Sequence, residues 1–316
     1  MKYVTDAYVT PSDIGFAITA DSGELATQAD VLVRSLRKQY PTAPVLTFIP
    51  ESSVTNIDAE IRTRLEQSTT VVTGEIPIPE YPISALVYAF VEAVRRFSSS
   101  YLVALDTDTI VLDRLRVSSD GDVWLRPADV GAQRWTSRQS QEDWATLYRR
   151  FNLQAPTPFF QQTASVDRQP IPPYWNSGVV VTTDMTLPKR WLEYTETLFR
   201  EDELPVSQTE FFLDQISLAV AVQENQVQQL SERENFPLGG RLRVPTNVAV
   251  IHYGDRRNLA RIVNPDIRET LHQLGALPTA SVREYLFSLL VVASTKSGRV
   301  LPFRWKQWIR RLLSTA

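Results

Sequence analysis

The chain contains no cysteine, which excludes a disulfide framework and any Cys-ligated zinc site. Histidine is scarce as well: only His252 and His272 occur in 316 residues, so each ring can be judged singly. No stretch approaches the ~18 consecutive apolar residues that span a bilayer. The opening residues Met1 to Asp6 lack the apolar run of a signal peptide. These absences predict a cytoplasmic protein, soluble or peripheral on a membrane face. Neither sign of charge dominates, with 33 basic residues against 36 acidic ones and a net charge of −3. The basic footprint of a nucleic-acid binder is therefore missing. Internal repeats and low-complexity segments are missing too.

The residues that are present read as an ordinary globular chain. A hydrophobic fraction of 43% and a charged fraction of 22% exclude wholesale disorder. The organisation predicted is one main domain over residues 1–257, followed by a helical, basic and aromatic appendage over 258–316. Short apolar runs bounded by turn residues predict buried strands at 15–20, 45–49, 70–72 and 101–105. Between them, helical spacing marks residues 24–40 and 56–67, and a further helix opens at Pro82. Strands that are apolar throughout, alternating with helices, predict an α/β fold with a mostly parallel central sheet covered on both faces. Beyond residue 112 the pattern weakens. It still predicts strands near 123–125, 178–182 and 248–251, helices near 140–152, 188–203 and 209–223, and a proline-rich loop over 155–173.

In such sheets ligands sit outside the carboxyl ends of the strands, which directs attention to the residues immediately after Leu105. There the chain reads Asp106-Thr107-Asp108. Residues two apart in extended chain point to the same side, so these carboxylates would converge, and a divalent cation is the natural way to hold them together. Magnesium and manganese prefer oxygen ligands and leave positions for phosphates. Asp-x-Asp is a weak pattern alone, and the chain supplies a second copy, Asp120-Gly121-Asp122. That copy is flanked by serines and reads as an exposed turn.

Four segments in this order resemble those of the GT-A glycosyltransferases, particularly glycosyltransferase family 8. They are Leu102 to Val111 with the Asp-x-Asp, Tyr174 to Val181 with Asn176-Ser177-Gly178, Phe212-Leu213-Asp214-Gln215, and Val250 to Gly254 with His252. The resemblance implies a Rossmann-like GT-A domain and metal-dependent transfer of a sugar from a nucleoside-diphosphate donor, UDP-linked, to a hydroxyl acceptor with retention. Asp106, Asp108 and His252 would coordinate Mn2+ or Mg2+. Ala17, Thr19, Asp21, Thr107, Gly254 and either Arg256 or Arg257 would bind the donor. Asn176, Asp214 and Gln215 would lie at the donor sugar and the acceptor. The family often carries a tyrosine soon after the first strand, whereas Ala20 to Glu24 here keeps only an aspartate.

Each residue has a plainer alternative. His252 could be a core histidine bonded to backbone, Asn176-Ser177-Gly178 a turn, and Asp214-Gln215 a solvated helix face. The aromatics Trp124, Trp135, Trp144, Tyr174 and Trp175 could stack on sugar or fill the core. His272 reads as a solvated surface residue. The segment from Tyr285 onward mixes Lys296, Arg299, Arg304, Lys306, Arg310 and Arg311 with Trp305 and Trp308. It contains no acid, and suits either a membrane interface holding a glycolipid acceptor or docking on the domain itself. Competing classes are a haloacid-dehalogenase-like phosphatase, whose Asp-x-Asp would include a nucleophile, and a silent nucleotide-sugar-binding module. A sugar-phosphate nucleotidyltransferase needs a glycine-rich basic loop after the first strand, and none is present.

Overall fold

Residues 8–128, 141–158, 162–166, 168–200, 212–241 and 243–277 are described by a computed structural model. The first half runs β1 (Tyr8–Val9), β2 (Ile14–Thr19), α1 (Glu24–Gln39), β3 (Val45–Pro50), α2 (Ala59–Ser68), β4 (Thr70–Gly74), α3 (Ser84–Arg96) and β5 (Tyr101–Leu105). Then come β6 (Thr109–Val111), β7 (Val117–Ser118), β8 (Val123–Pro127), α4 (Gln141–Arg150), β9 (Gln162–Thr163), β10 (Pro170–Ile171) and β11 (Trp175–Thr182). The last described elements are α5 (Leu187–Arg200), α6 (Leu213–Ala221), β12 (Val227–Gln229), β13 (Phe236–Pro237), β14 (Val250–His252) and α7 (Pro265–Gln273).

The helices begin and end where local chemistry dictates. Asp58 caps α2 by accepting from the amides of Glu60 and Ile61. Asn264 caps α7, which opens on Pro265, the position where a missing N–H costs nothing. Arg37 and Lys38 occupy the last turn of α1, against the negative end of its dipole. Among the described residues, no helix is long and apolar enough to cross a membrane.

The central sheet has seven strands in the order β12-β8-β11-β5-β2-β3-β4. Strands β5, β2, β3 and β4 run parallel to one another, and β12 runs parallel to β8. Strand β11 is antiparallel to both its neighbours, so it alone is reversed in this sheet. Alternate residues of the strands feed two cores. Leu46, Phe48, Leu102 and Ala104 pack on the side of α3 and α6; Val45, Ile49, Val103 and Leu105 pack on the side of α1. Both faces are thus covered, as apolar-throughout strands require.

Three details differ from the sequence reading. The proline-rich stretch 155–173 is not loop throughout, because β9 and β10 pair within it. The strand expected at 248–251 starts at Val250 and includes His252. It also lies outside the central sheet, in a three-stranded sheet ordered β13-β14-β6. A third core under this small sheet joins Ile110, Ile251 and Tyr253 to Ile267 and Leu271 of α7.

Candidate active site

Strand β5 ends at Leu105, and the chain turns through Asp106-Thr107-Asp108 into β6. Thr109 holds that turn, its amide donating to the Asp106 carbonyl at 3.1 Å and its hydroxyl at 2.6 Å. The two carboxylates therefore converge across a tight turn and not along extended chain. The pairing of β6 with β14 places His252 opposite Thr109, and the Tyr253 amide donates to the Asp108 carbonyl at 2.9 Å. His252 Nε2 comes to lie 3.1 Å from Asp108 Oδ1 and 3.8 Å from Asp106 Oδ2. One ligand atom from each of the three residues falls within 4.8 Å of the others. The side chains are 17% to 32% exposed, open enough to admit an ion and sheltered enough to hold it.

The electrostatics of the cluster ask for a cation. Burial and the neighbouring charge of Asp108 push Asp106 up to about 7, against the opposing pull of His252. Burial works on Asp108 in the same sense. There His252, by charge and by hydrogen bond, and the amides of Asp108 and Gly254 outweigh it and hold the carboxyl below its ordinary value. Two carboxylates and an imidazole converging on one point are a donor set that suits manganese or magnesium.

The reversed strand supplies the rest. Because β11 runs against β5, its first residues meet the carboxyl end of β5, and the Asp106 amide donates to the Gly178 carbonyl at 3.0 Å. Gly178 is required at this point. A Cβ there would lie 2.5 Å from His252 Nδ1 and closer still to Cε1, so the imidazole rests directly on bare backbone. Asn176 Oδ1 accepts from the Gly178 amide at 3.1 Å and from Asn235 Nδ2 at 2.9 Å. A bulge between Asn176 and Val181 interrupts the alternation of the strand. Ser177 consequently turns to Asp214 at the head of α6, donating to Oδ2 at 2.5 Å. Tyr81 donates to the other oxygen at 2.7 Å. Asp214 is 4% exposed, and burial raises its pKa despite these two hydroxyls. Gln215 beside it is half-buried.

The residues expected at the donor are spread more widely. Ala17 packs into the core and Thr19 is half-buried at the end of β2. Asp21 accepts from the Ser22 amide at 2.6 Å and from the Ser53 hydroxyl. Thr107 is half-buried in the turn between the two aspartates, and Gly254 comes directly after the histidine strand with φ of 66°, the left-handed region that favours glycine. Arg256 reaches away, donating to the carbonyls of Ala276 and Gly275 at 3.1 and 3.0 Å. Arg257 pairs with Asp255.

Trp124, Trp144, Tyr174 and Trp175 are all buried, so they fill the core and offer no open stacking face. Trp135 and the basic aromatic stretch from 285 onward lie outside the described residues. His272 is exposed, as expected. Sequence reasoning missed Tyr81, Asn235 and Arg126. Arg126 stands opposite Asn176 in register and donates to the Asn235 carbonyl at 2.8 Å and to Glu232 at 3.1 Å. Asn235 comes after the polar run Ser231-Glu232-Arg233-Glu234, which reads as surface loop; only the fold reveals its partner.

Residues 16–226 match the family described as the Rhodobacterales glycosyltransferase domain. No curated protein sequence matches the chain. The solved galactosyltransferase LgtC in complex with donor and acceptor sugar analogues is similar at 15% identity and a TM-score of 0.45, covering 87% of this chain and 99% of that one. An active-site mutant of LgtC is similar at 14% identity and a TM-score of 0.44, covering 85% and 98%. Both likenesses are distant, and the family match carries the assignment.

Proposed function

The chain belongs to the Rhodobacterales glycosyltransferase domain family and is a glycosyltransferase, and from that premise we propose that it transfers a sugar from a UDP-linked donor to a hydroxyl acceptor. In this reading Asp106, Asp108 and His252 hold Mn2+ or Mg2+, transfer proceeds with retention at the anomeric carbon, and the acceptor is a carbohydrate or glycolipid. The observation that carries it is the convergence of three ligand atoms within 4.8 Å at the end of β5. The order of the strands around that cluster supports the GT-A reading.

A bound cation supplies Lewis-acid neutralisation of the departing diphosphate. The residues do the rest. Asp108, kept ionised by His252, presents a permanent anion to the ion. His252 offers a ring nitrogen from its place against the Gly178 backbone. Asn176, whose side-chain oxygen is committed to Gly178 and Asn235, keeps its amide nitrogen for the donor sugar or the acceptor. Gln215, at the head of α6, lies at the donor sugar. Asp21, Thr19, Thr107 and Gly254 border the nucleotide, and either Arg256 or Arg257 contacts the diphosphate, which for Arg256 requires release of the Gly275 and Ala276 carbonyls. For Arg257 that contact requires exchanging Asp255, its partner in the present structure. The basic aromatic stretch from 285 onward rests on a membrane surface near a lipid-linked acceptor.

A thermal-shift panel of nucleoside diphosphates, with and without Mn2+, tests the proposal. A ligand at 100 times its Kd adds about 2.7 kcal/mol to stability, so UDP should raise Tm only when Mn2+ is present. Stabilisation by no nucleotide would favour a silent binding module. Release of inorganic phosphate from phosphomonoesters would favour a phosphatase.

A further inference from the structure

We propose that Asp214 is a positioning residue, which bolts the strand segment Asn176-Ser177-Gly178 to the helix behind it and does not meet the sugar. The inference rests on the glycosyl-transfer reading and deepens it.

Both oxygens of the carboxylate are engaged, one by Tyr81 and one by Ser177. Tyr81 closes a ring, since its oxygen also accepts the Asp214 amide at 3.1 Å. The Asp214 carbonyl is held in turn by the Trp191 indole at 2.9 Å and the Ser217 hydroxyl at 3.0 Å. All of these partners are buried. A carboxylate wrapped on both oxygens by hydroxyls of the same protein is built to hold, because a buried ion left with one oxygen bare is strongly disfavoured.

The segment it holds is informative. Ser177 lies between the two residues that organise the front of the site. Asn176 bonds Asn235, and Gly178 carries the His252 ring and takes the Asp106 amide. Ser177 reaches Asp214 only because the bulge in β11 turns it that way. One hydroxyl–carboxylate bond therefore fixes a three-residue segment whose glycine touches two of the three metal ligands, Asp106 and His252. Residues that orient metal ligands from behind typically contribute 10–100-fold to affinity.

The test uses the full chain, with Mn2+ alone as the first probe and hydrolysis of a UDP-sugar as the second. Ser177→Ala and Asp214→Ala should each weaken Mn2+ binding about tenfold, the lower end of that range. Asp214→Asn should recover most of that loss, since its amide oxygen accepts one hydroxyl and its NH2 donates to the other. Its turnover should fall by less than about tenfold, in step with the smaller residual misplacement. Unchanged Mn2+ affinity in Ser177→Ala would overturn the proposal. So would an Asp214→Asn variant with wild-type Tm and Mn2+ affinity whose turnover falls more than about a thousand-fold, the signature of a group acting on the reacting atoms. A wild-type chain that binds Mn2+ and hydrolyses no UDP-sugar would sink the glycosyl-transfer reading, and the Mn2+ measurements would still decide the role of Asp214.

Discussion

The chain carries two Asp-x-Asp triplets, and they share nothing but the pattern. Asp106 and Asp108 flank a turn between a strand of the central sheet and one of the small sheet, and the pairing of β6 with β14 delivers His252 to them. Asp120 and Asp122 flank the turn between β7 and β8. There Asp120 accepts a long bond from Gln228 at 3.4 Å, while the Asp122 carbonyl takes the Thr183 amide at 2.9 Å. Among the described residues, only the first pair gathers a third ligand. Topology makes the difference: a metal site needs chain from elsewhere, and the pairing of β14 with β6 brings it to the carboxyl end of β5.

The largest expected effect separates the two pairs at once. Asp108→Ala should lower metal-dependent turnover by about a thousand-fold, because Lewis-acid stabilisation amounts to several kcal/mol, while the fold survives. Steady-state kinetics with and without Mn2+ would show it, and an unchanged rate would dissolve the distinction. Next comes Gly178→Ala. Its new methyl group must displace the imidazole, so Mn2+ affinity should fall 10–100-fold with little change in overall secondary structure. Calorimetric titration with Mn2+ checks this, and wild-type affinity would mean that His252 is not held by the bare backbone.

A smaller effect comes from pH. The folded-state pKa of Asp106 is raised above its unfolded value, so the metal-free fold gains from this group at acid pH and loses that gain as pH rises through about 7. Mn2+ needs the deprotonated carboxylate. The Tm increase produced by Mn2+ should therefore be larger at pH 8 than at pH 5.5, and equal increases would contradict the shift. The smallest effect belongs to the second pair: Asp120→Ala should leave turnover and Mn2+ affinity within about twofold of wild type, as expected of an exposed turn residue.

Much of this was legible in the sequence. Apolar runs such as Tyr101 to Leu105 announce buried strands, and a buried strand with carboxylates at its end points to the ligand edge of an α/β sheet. The four short segments also appear in the order in which the fold assembles them. Contacts between residues far apart in the chain were not legible. Tyr81 meets Asp214 across 133 positions and lies in a proline-flanked stretch that reads only as the approach to a helix. The reversal of β11 leaves no mark in a run such as Val179-Val180-Val181, which is apolar in either direction. Nor does the bulge that turns Ser177 toward Asp214. The glycine of Asn-Ser-Gly reads as turn chemistry, and its reason, an imidazole resting on it, appears only once two sheets are in place.

The most direct test of a cation held by residues 106, 108 and 252 is an anomalous-scattering map from a crystal soaked in Mn2+. A single strong peak within bonding distance of Asp106, Asp108 and His252 is predicted, with none at Asp120 and Asp122. A peak at the second pair alone, or none at either under conditions where the enzyme is active, would contradict the account.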